Sequence, residues 1–461
     1  VKSMSESFES VRDPVLSLFQ SAVAEVAERI DAKPSGPGAR RLERSASATF
    51  NDEATAIARR ECGRDAGIGS GVRPSSPAAR DLSPVDMGKV CVELALRYVR
   101  ALASGNQTAL AEIEDEYRTG TCDVEWVTTL RAYAGYFGPD GKRKPIPYVR
   151  PASAGPGTHE IKAGSRLALV SDWGTGARPA IEVLRSIAGV HPDVLVHLGD
   201  IYYSGTEKEC EDNFLRPITR ELRTKRPTLV YTLSGNHDMY CGGVGYYDLL
   251  PKLNEESLRQ RASFFCLRST DERWQFLAMD TGLHDDNPRS IADALTHLED
   301  DELEWHCQRI EEFGGRTILL SHHQPFSAFS AIGAKPAQGK RKASNPHLMR
   351  AFERMNREGR VAAWFWGHEH SLGIYEPFSG IKVGRCIGHG AVPVSVLDDI
   401  YKPLDDLEQT PAIIEGTRLQ TRGGVFAHGY AVIDVGVGSC RARYLQVTDA
   451  GTEEIFSEEI S

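Results

Sequence analysis

From Arg166 onward the chain breaks into short apolar runs that alternate with amphipathic stretches, and this rhythm predicts the architecture. "RLALVSD", "DVLVHLGD" and "PTLVYTLSGNHD" are apolar over four or five positions and then stop at polar residues, as buried strands do. Between them, "ARPAIEVLRSIAGV" and "CEDNFLRPITRELRT" repeat apolar residues at helical spacing. The β-α-β-α-β order predicts parallel strands with helices covering both faces. "SFFCLRS" and "WQFLAMDTG" follow as a predicted strand pair, then a charged helix in "ADALTHLEDDELEWHCQRIEEF". "RTILLSHH" and "VAAWFWGHEH" are two more strands separated by a helix. The tail "GYAVIDVGVGSCRARYLQVTDAGTEEIF" alternates like an antiparallel hairpin around a glycine turn.

The first 150 residues are patterned differently. "DPVLSLFQSAVAEVAERI" places Val15, Leu18, Phe19, Val23, Val26 and Ile30 on one helical face, and "VDMGKVCVELALRYVRALA" does the same. "TCDVEWVTTLRAYAGYF" is a third helical stretch. Segments rich in Gly, Pro, Ser and Arg separate them, so 1–150 is expected to be a mainly helical region with flexible stretches. The Pro/Gly-rich 151–165 is expected to link it to a second domain, 166–461.

Composition narrows the function classes. A net charge of −10 argues against a non-specific binder of nucleic acid or anionic membrane, both of which need a basic field. It does not exclude an anionic substrate, because metal cations reverse the field locally. The nine cysteines are scattered, with no C-x-x-C, which fits a reducing compartment. The first residues lack a signal-like apolar stretch, and no apolar run reaches the roughly 18 residues a membrane helix needs. The expectation is a cytoplasmic protein with a small-molecule partner.

Five of the predicted strands end in residues that bind metals. These are Asp172 in "VSDWG", Asp200 in "LGDIYY", Asn236-His237-Asp238 in "SGNHD", His322-His323 in "LSHHQP", and His368 with His370 in "WGHEH". In an open α/β sheet, residues beyond the carboxyl ends of different strands converge on one site. Carboxylates, an amide oxygen and imidazoles together suit iron, zinc or manganese rather than a thiolate site. One carboxylate can bridge two such ions about 3.5–4 Å apart. In "GHEH", imidazoles at i and i+2 can address neighbouring metals, with Glu369 pointing away into solvent.

"GD", "GNHD" and "GHEH", in this order and on strand ends, resemble the calcineurin-like metallophosphoesterases over roughly Arg166 to the last residue. The resemblance implies an α/β fold of two packed, mixed β-sheets flanked by helices, here with an additional N-terminal helical region. It also implies a dinuclear centre that hydrolyses phosphate esters. Many members carry D-x-H in the first cluster, whereas this chain has Asp172-Trp173-Gly174. D-x-G followed by G-D-x-x-Y resembles the purple acid phosphatases, in which a tyrosinate completes the first site. That register puts the phenol at Tyr203 and leaves Tyr202 to pack.

The same resemblance assigns Asp172, Asp200, Tyr203 and His370 to the first metal, and Asp200, Asn236, His323 and His368 to the second. His322 is the alternative to His323; an apolar-x-x-His-x-Pro pattern favours the latter. The implied cofactors are iron in one site with zinc, manganese or iron in the other. His237 is implied to face the substrate as a catalytic group, with Asp238 orienting its imidazole. The expected activity is that of a phosphomonoesterase. A phosphodiesterase on the same centre is the near alternative, and a non-catalytic scaffold on the same fold the distant one.

Overall fold

The computed structural model describes residues 132, 135–137, 144–287, 295–333, 336–392, 394, 400–422 and 425–461. Contacts divide the chain into 1–143 and Lys144–Ser461. The helical stretches expected before residue 130 lie outside the described residues. Both sheets and every strand-end cluster belong to the second unit.

The segment expected to be a linker is folded. Pro151–Ala154 forms a short helix (α1) and Thr158–Ile161 a strand (β1). β1 pairs in parallel with Phe265–Ser269 at one edge of a sheet, so the backbone groups on its inner side are hydrogen-bonded. The Pro and Gly residues that suggested a linker punctuate these elements instead of marking an unstructured stretch.

The predicted β-α-β-α-β run is present as β2 (Arg166–Val170), α2 (Arg178–Gly189), β3 (Val194–His197), an irregular helical stretch over Glu207–Leu222, and β4 (Leu229–Thr232). Two helices follow, α3 (Asn236–Met239) and α4 (Val244–Leu253), then the antiparallel pair β5 (Phe265–Ser269) and β6 (Trp274–Ala278). α5 (Asp300–Glu311), β7 (Arg316–Leu320), α6 (Pro346–Met355) and β8 (Val361–Trp366) come next. β9 (Leu372–Tyr375), β10 (Gly384–Ile387) and a small ribbon of β11 (Thr421–Arg422) with β12 (Val425–Phe426) precede the final strands. These are β13 (His428–Val435), β14 (Cys440–Thr448) and β15 (Gly451–Ile460).

Two mixed sheets result, as expected. One has seven strands in the order β1-β5-β6-β7-β8-β10-β9, the other six in the order β15-β14-β13-β2-β3-β4. β2, β3 and β4 are parallel to one another, while the tail adds β13 to β15 antiparallel at the β2 edge.

The period-2 geometry of the strands explains how the layers are glued. Leu167 and Leu169 of β2 enter an apolar layer with Phe276, Ile318, Phe365 and Ile433, drawn from both sheets. Ala168 and Val170 face the other way, against Val183, Leu184 and Ile187 of α2. On the far face of the seven-stranded sheet, Leu319, Trp364 and Trp366 pack with Leu303, Leu348 and Phe352 of α5 and α6. Strands buried on both faces must be apolar throughout, which is why the sequence shows runs there and not alternation. The same burial leaves the strand ends as the place where polar residues meet.

Candidate metal centre

Asp172, Asp200, His368 and His370 each sit just past a strand and each adopts a left-handed backbone, with φ of 55°, 74°, 69° and 48°. Such conformations cost non-glycine residues about 1–3 kcal/mol each and persist where the surroundings hold them. The surroundings do so here. Asp172 N–H donates to Gly199 O at 3.1 Å, and His368 N–H donates to Asp172 Oδ2 at 2.9 Å. Glycine is required beside them at Gly199, where φ is +106° and a Cβ would lie 2.6 Å from His322 Nδ1. It is required again at Gly235, where a Cβ would lie 2.0 Å from Asp200 Oδ1.

Asp238 fastens these loops together. Its carboxylate accepts the backbone N–H groups of Asp200, Ile201 and Gly235 at 2.9, 3.1 and 2.7 Å. Burial and the charge of Asp200 nevertheless push its carboxyl up to about 8. The expectation that Asp238 orients His237 is therefore corrected. The imidazole is oriented by the Tyr203 carbonyl, which lies 2.6 Å from Nδ1. A carbonyl only accepts, so Nδ1 carries a proton, and Nε2 turns toward Asp200 Oδ2 at 4.0 Å.

Two clusters of ligand atoms form around Asp200. In the first, the Tyr202 hydroxyl lies 3.0 Å from Asp172 Oδ1, 3.2 Å from Asp200 Oδ2 and 2.9 Å from His370 Nε2. His370 Nε2 is 3.3 Å from Asp172 Oδ1. In the second, Asn236 Oδ1 lies 3.1 Å from His322 Nε2 and 3.0 Å from His368 Nδ1. His322 Nε2 is 3.3 Å from His368 Nδ1 and 3.4 Å from Asp200 Oδ1. Asp200 thus gives one oxygen to each cluster.

These spacings fit metal ions. With bonds of about 2.0–2.2 Å, neighbouring ligands on one ion stand about 2.9–3.5 Å apart. The chemistry fits as well, since two carboxylates, a phenol and an imidazole buried together are a donor set for a cation. Burial pushes the Tyr202 phenol well above its usual value, and Asp172 and Asp200 raise it further. Burial also opposes charge on Asp200, yet His322 and His237 hold its carboxyl well below the usual range. His322 responds in kind: despite burial, Asp200 raises its imidazole to about 9.

Two sequence expectations shift in register. The phenol that reaches the first cluster belongs to Tyr202, where the motif indicates Tyr203; Tyr203 instead supplies backbone groups, its N–H donating to Glu209 at 2.6 Å. The turn after Asp200 decides which of the adjacent rings points inward, and sequence spacing does not specify that turn. Likewise both His322 and His323 reach the second cluster, but their roles differ from the expectation that favours His323. His322 Nδ1 donates to Leu198 O at 2.9 Å, which aims Nε2 at Asn236 and Asp200. His323 is held between Thr281 Oγ1 (3.1 Å) and Asp285 Oδ2 (3.1 Å). Burial and His322 push the His323 ring well below its usual value.

Glu369, expected in solvent, is buried and accepts from the Ser327 hydroxyl and from Trp366 Nε1. Gly174 has no room for a side chain: a Cβ there would lie 2.9 Å from Ile201 Cα. Three contributors are absent from the sequence expectations. Tyr240 accepts from Asn236 Nδ2 at 2.6 Å and so fixes Oδ1 toward the cluster. Thr281 and Asp285 hold His323. "MDTGLHDD", at the end of β6, carries the signal for them: another buried strand stopping at polar residues.

The calcineurin-like phosphoesterase family model matches residues 165–372. Among solved structures, the Plasmodium protein GAP50, described as the anchor in the inner membrane complex, shares 12% identity, with a TM-score of 0.42, over 65% of this chain and 89% of its own. A dimetal phosphatase from Danio rerio shares 12% identity, with a TM-score of 0.40, over 65% of this chain and 99% of its own. Vacuolar protein sorting 29 from Cryptosporidium parvum shares 12%, with a TM-score of 0.29, over 65% and 100%. No curated protein matches. Among the described residues no helix is long and apolar enough to cross a membrane.

Proposed function

We propose that this chain, whose residues 165–372 match the calcineurin-like phosphoesterase family model, is a dinuclear phosphoric ester hydrolase acting on small phosphomonoesters in the manner of purple acid phosphatases. The observation that carries this reading is the division of Asp200, with Oδ2 among Asp172, Tyr202 and His370 and Oδ1 beside His322. Asp172, Asp200, Tyr202 and His370 would hold one ion; Asp200, Asn236, His322 and His368 would hold the other. The first set, with two carboxylates and a phenol, suits iron(III); the second suits zinc, manganese or iron(II). Ions bound there would neutralise the phosphoryl oxygens and bring the pKa of an attacking water toward neutrality.

The remaining chemistry belongs to the chain. His237, held by the Tyr203 carbonyl at Nδ1–H, faces the phosphoryl group through Nε2; as the imidazolium it donates from Nε2–H to a phosphoryl oxygen and passes that proton to the departing alcohol, leaving the neutral Nδ1–H tautomer. His323, with Nδ1 at Thr281 and Nε2 at Asp285, borders the second cluster and shapes the wall of the substrate site. His368 is half-buried while its partners are buried, so the substrate approaches from that side.

The test compares p-nitrophenyl phosphate with its bis-ester using fully metallated protein. Faster monoester turnover is expected, and His237→Ala should lower kcat by about 10²–10⁴-fold. Preferred hydrolysis of the diester would reassign the substrate class. Absence of any hydrolysis with both ions bound would overturn the activity.

A further inference from the structure

We propose that His284, His297 and Glu299 form a metal site of their own, outside the dinuclear centre, for a single zinc-like divalent ion. The three residues come from the loop after β6 and the approach to α5, and share no ligand with the centre around Asp200. Each offers one ligand atom within 4.8 Å of the others. Ligand atoms on one tetrahedral ion stand about 3.3–3.6 Å apart, so closure needs side-chain movements of about 1 Å.

The arrangement is unusual for side chains that merely cover a surface. The His284 and His297 rings stack at 3.7 Å between centroids, 10° from parallel. Two imidazolium cations would repel at that distance, so the stack disfavours charge on both rings at once, and neutral imidazole is the form that ligates. Burial and the facing His297 both push the His284 pKa down. Glu299 Oε1 lies 2.9 Å from His284 Nε2, while Arg150 pairs with Oε2. Burial opposes its charge, but Arg150 holds the Glu299 carboxyl below the usual range, so an anionic oxygen faces the imidazoles.

The backbone carrying the three is pinned on both sides. Asp280 Oδ1 accepts the N–H groups of Gly282 and Leu283, each at 3.0 Å, just before His284. Asn345 Nδ2 donates to Thr296 O at 2.9 Å, just before His297. None of the three ligands is fully buried, so an ion can enter without unfolding. Two imidazoles and one carboxylate, with a fourth position for water, are a zinc-type donor set.

Zinc content of the full chain, measured by mass spectrometry after dialysis against zinc, reads the site directly. With the dinuclear centre removed by Asp172→Asn and Asp200→Asn, zinc should remain bound, and adding His297→Ala should lower the content by one ion per chain. In the otherwise native chain, His297→Ala should remove one zinc and leave phosphoester turnover within about two-fold. His284→Asn probes the same site from the other side of the stack if His297→Ala does not fold. An equal zinc content with and without the substitutions would overturn the site. Failure of the phosphatase reading would show only in turnover and leave this count unchanged.

Discussion

The two halves of the centre are built from the same strand ends but carry different charge. The half around Tyr202 brings two carboxylates, a phenol and one imidazole; the half around Asn236 brings one shared carboxylate oxygen, a neutral amide and two imidazoles. Such a difference sorts ions by hardness and charge, with the harder ion drawn to the anionic half. It also separates two ways of orienting a ligand. In the anionic half, backbone N–H groups hold the carboxylates: His368 N–H donates to Asp172 Oδ2 and His237 N–H to Asp200 Oδ1. In the neutral half, supports outside the cluster do the aiming: Leu198 O for His322, and Tyr240 for Asn236.

The shared residue should have the largest effect. Asp200→Asn takes one anionic ligand from both halves, so both ions should be lost and turnover should fall by at least about 10³-fold, read by metal analysis and steady-state kinetics. Asn236→Ala breaks the symmetry of that result. It should empty only the neutral half, leaving one ion at the centre and turnover reduced by about 10²–10³-fold.

Tyr202→Phe should act on the anionic half alone. With iron bound there, the visible band from phenolate-to-iron charge transfer should vanish and affinity for that ion fall by about 10–100-fold, whereas Tyr203→Phe should keep the band. The reverse pattern would restore the register that the motif suggests. Tyr240→Phe should be the mildest change. The Asn236 amide loses the acceptor that fixes its direction, and affinity in the neutral half should drop by about ten-fold with little change in the other. A larger loss from Tyr240→Phe than from Asn236→Ala would contradict the aiming role.

The strands and the strand-end residues are legible in the sequence because both follow from burial. Strands covered on both faces have to be apolar, so "RLALVSD" and "VAAWFWGHEH" announce their own ends. Asp172, Asp200, Asn236, His368 and His370 all meet at those ends. Choices between adjacent residues are not legible. Tyr202 against Tyr203, and His322 against His323, depend on how a non-repetitive turn leaves the strand, and neighbouring side chains there differ in direction and not in chemistry. Asp238 stands out in the sequence but its partners do not, because three backbone N–H groups drawn from two loops have no sequence signature. The stretch 151–165 reads as a linker because the proline and glycine that end short elements also populate linkers.

The central claim is that one carboxylate joins the two halves. The most direct measurement is the difference in metal content between the native chain and Asp200→Asn, loaded identically and checked for folding by circular dichroism. The account predicts that two ions per chain disappear together, along with phosphoester hydrolysis. A folded Asp200→Asn chain that keeps either ion at full occupancy and still hydrolyses would contradict it.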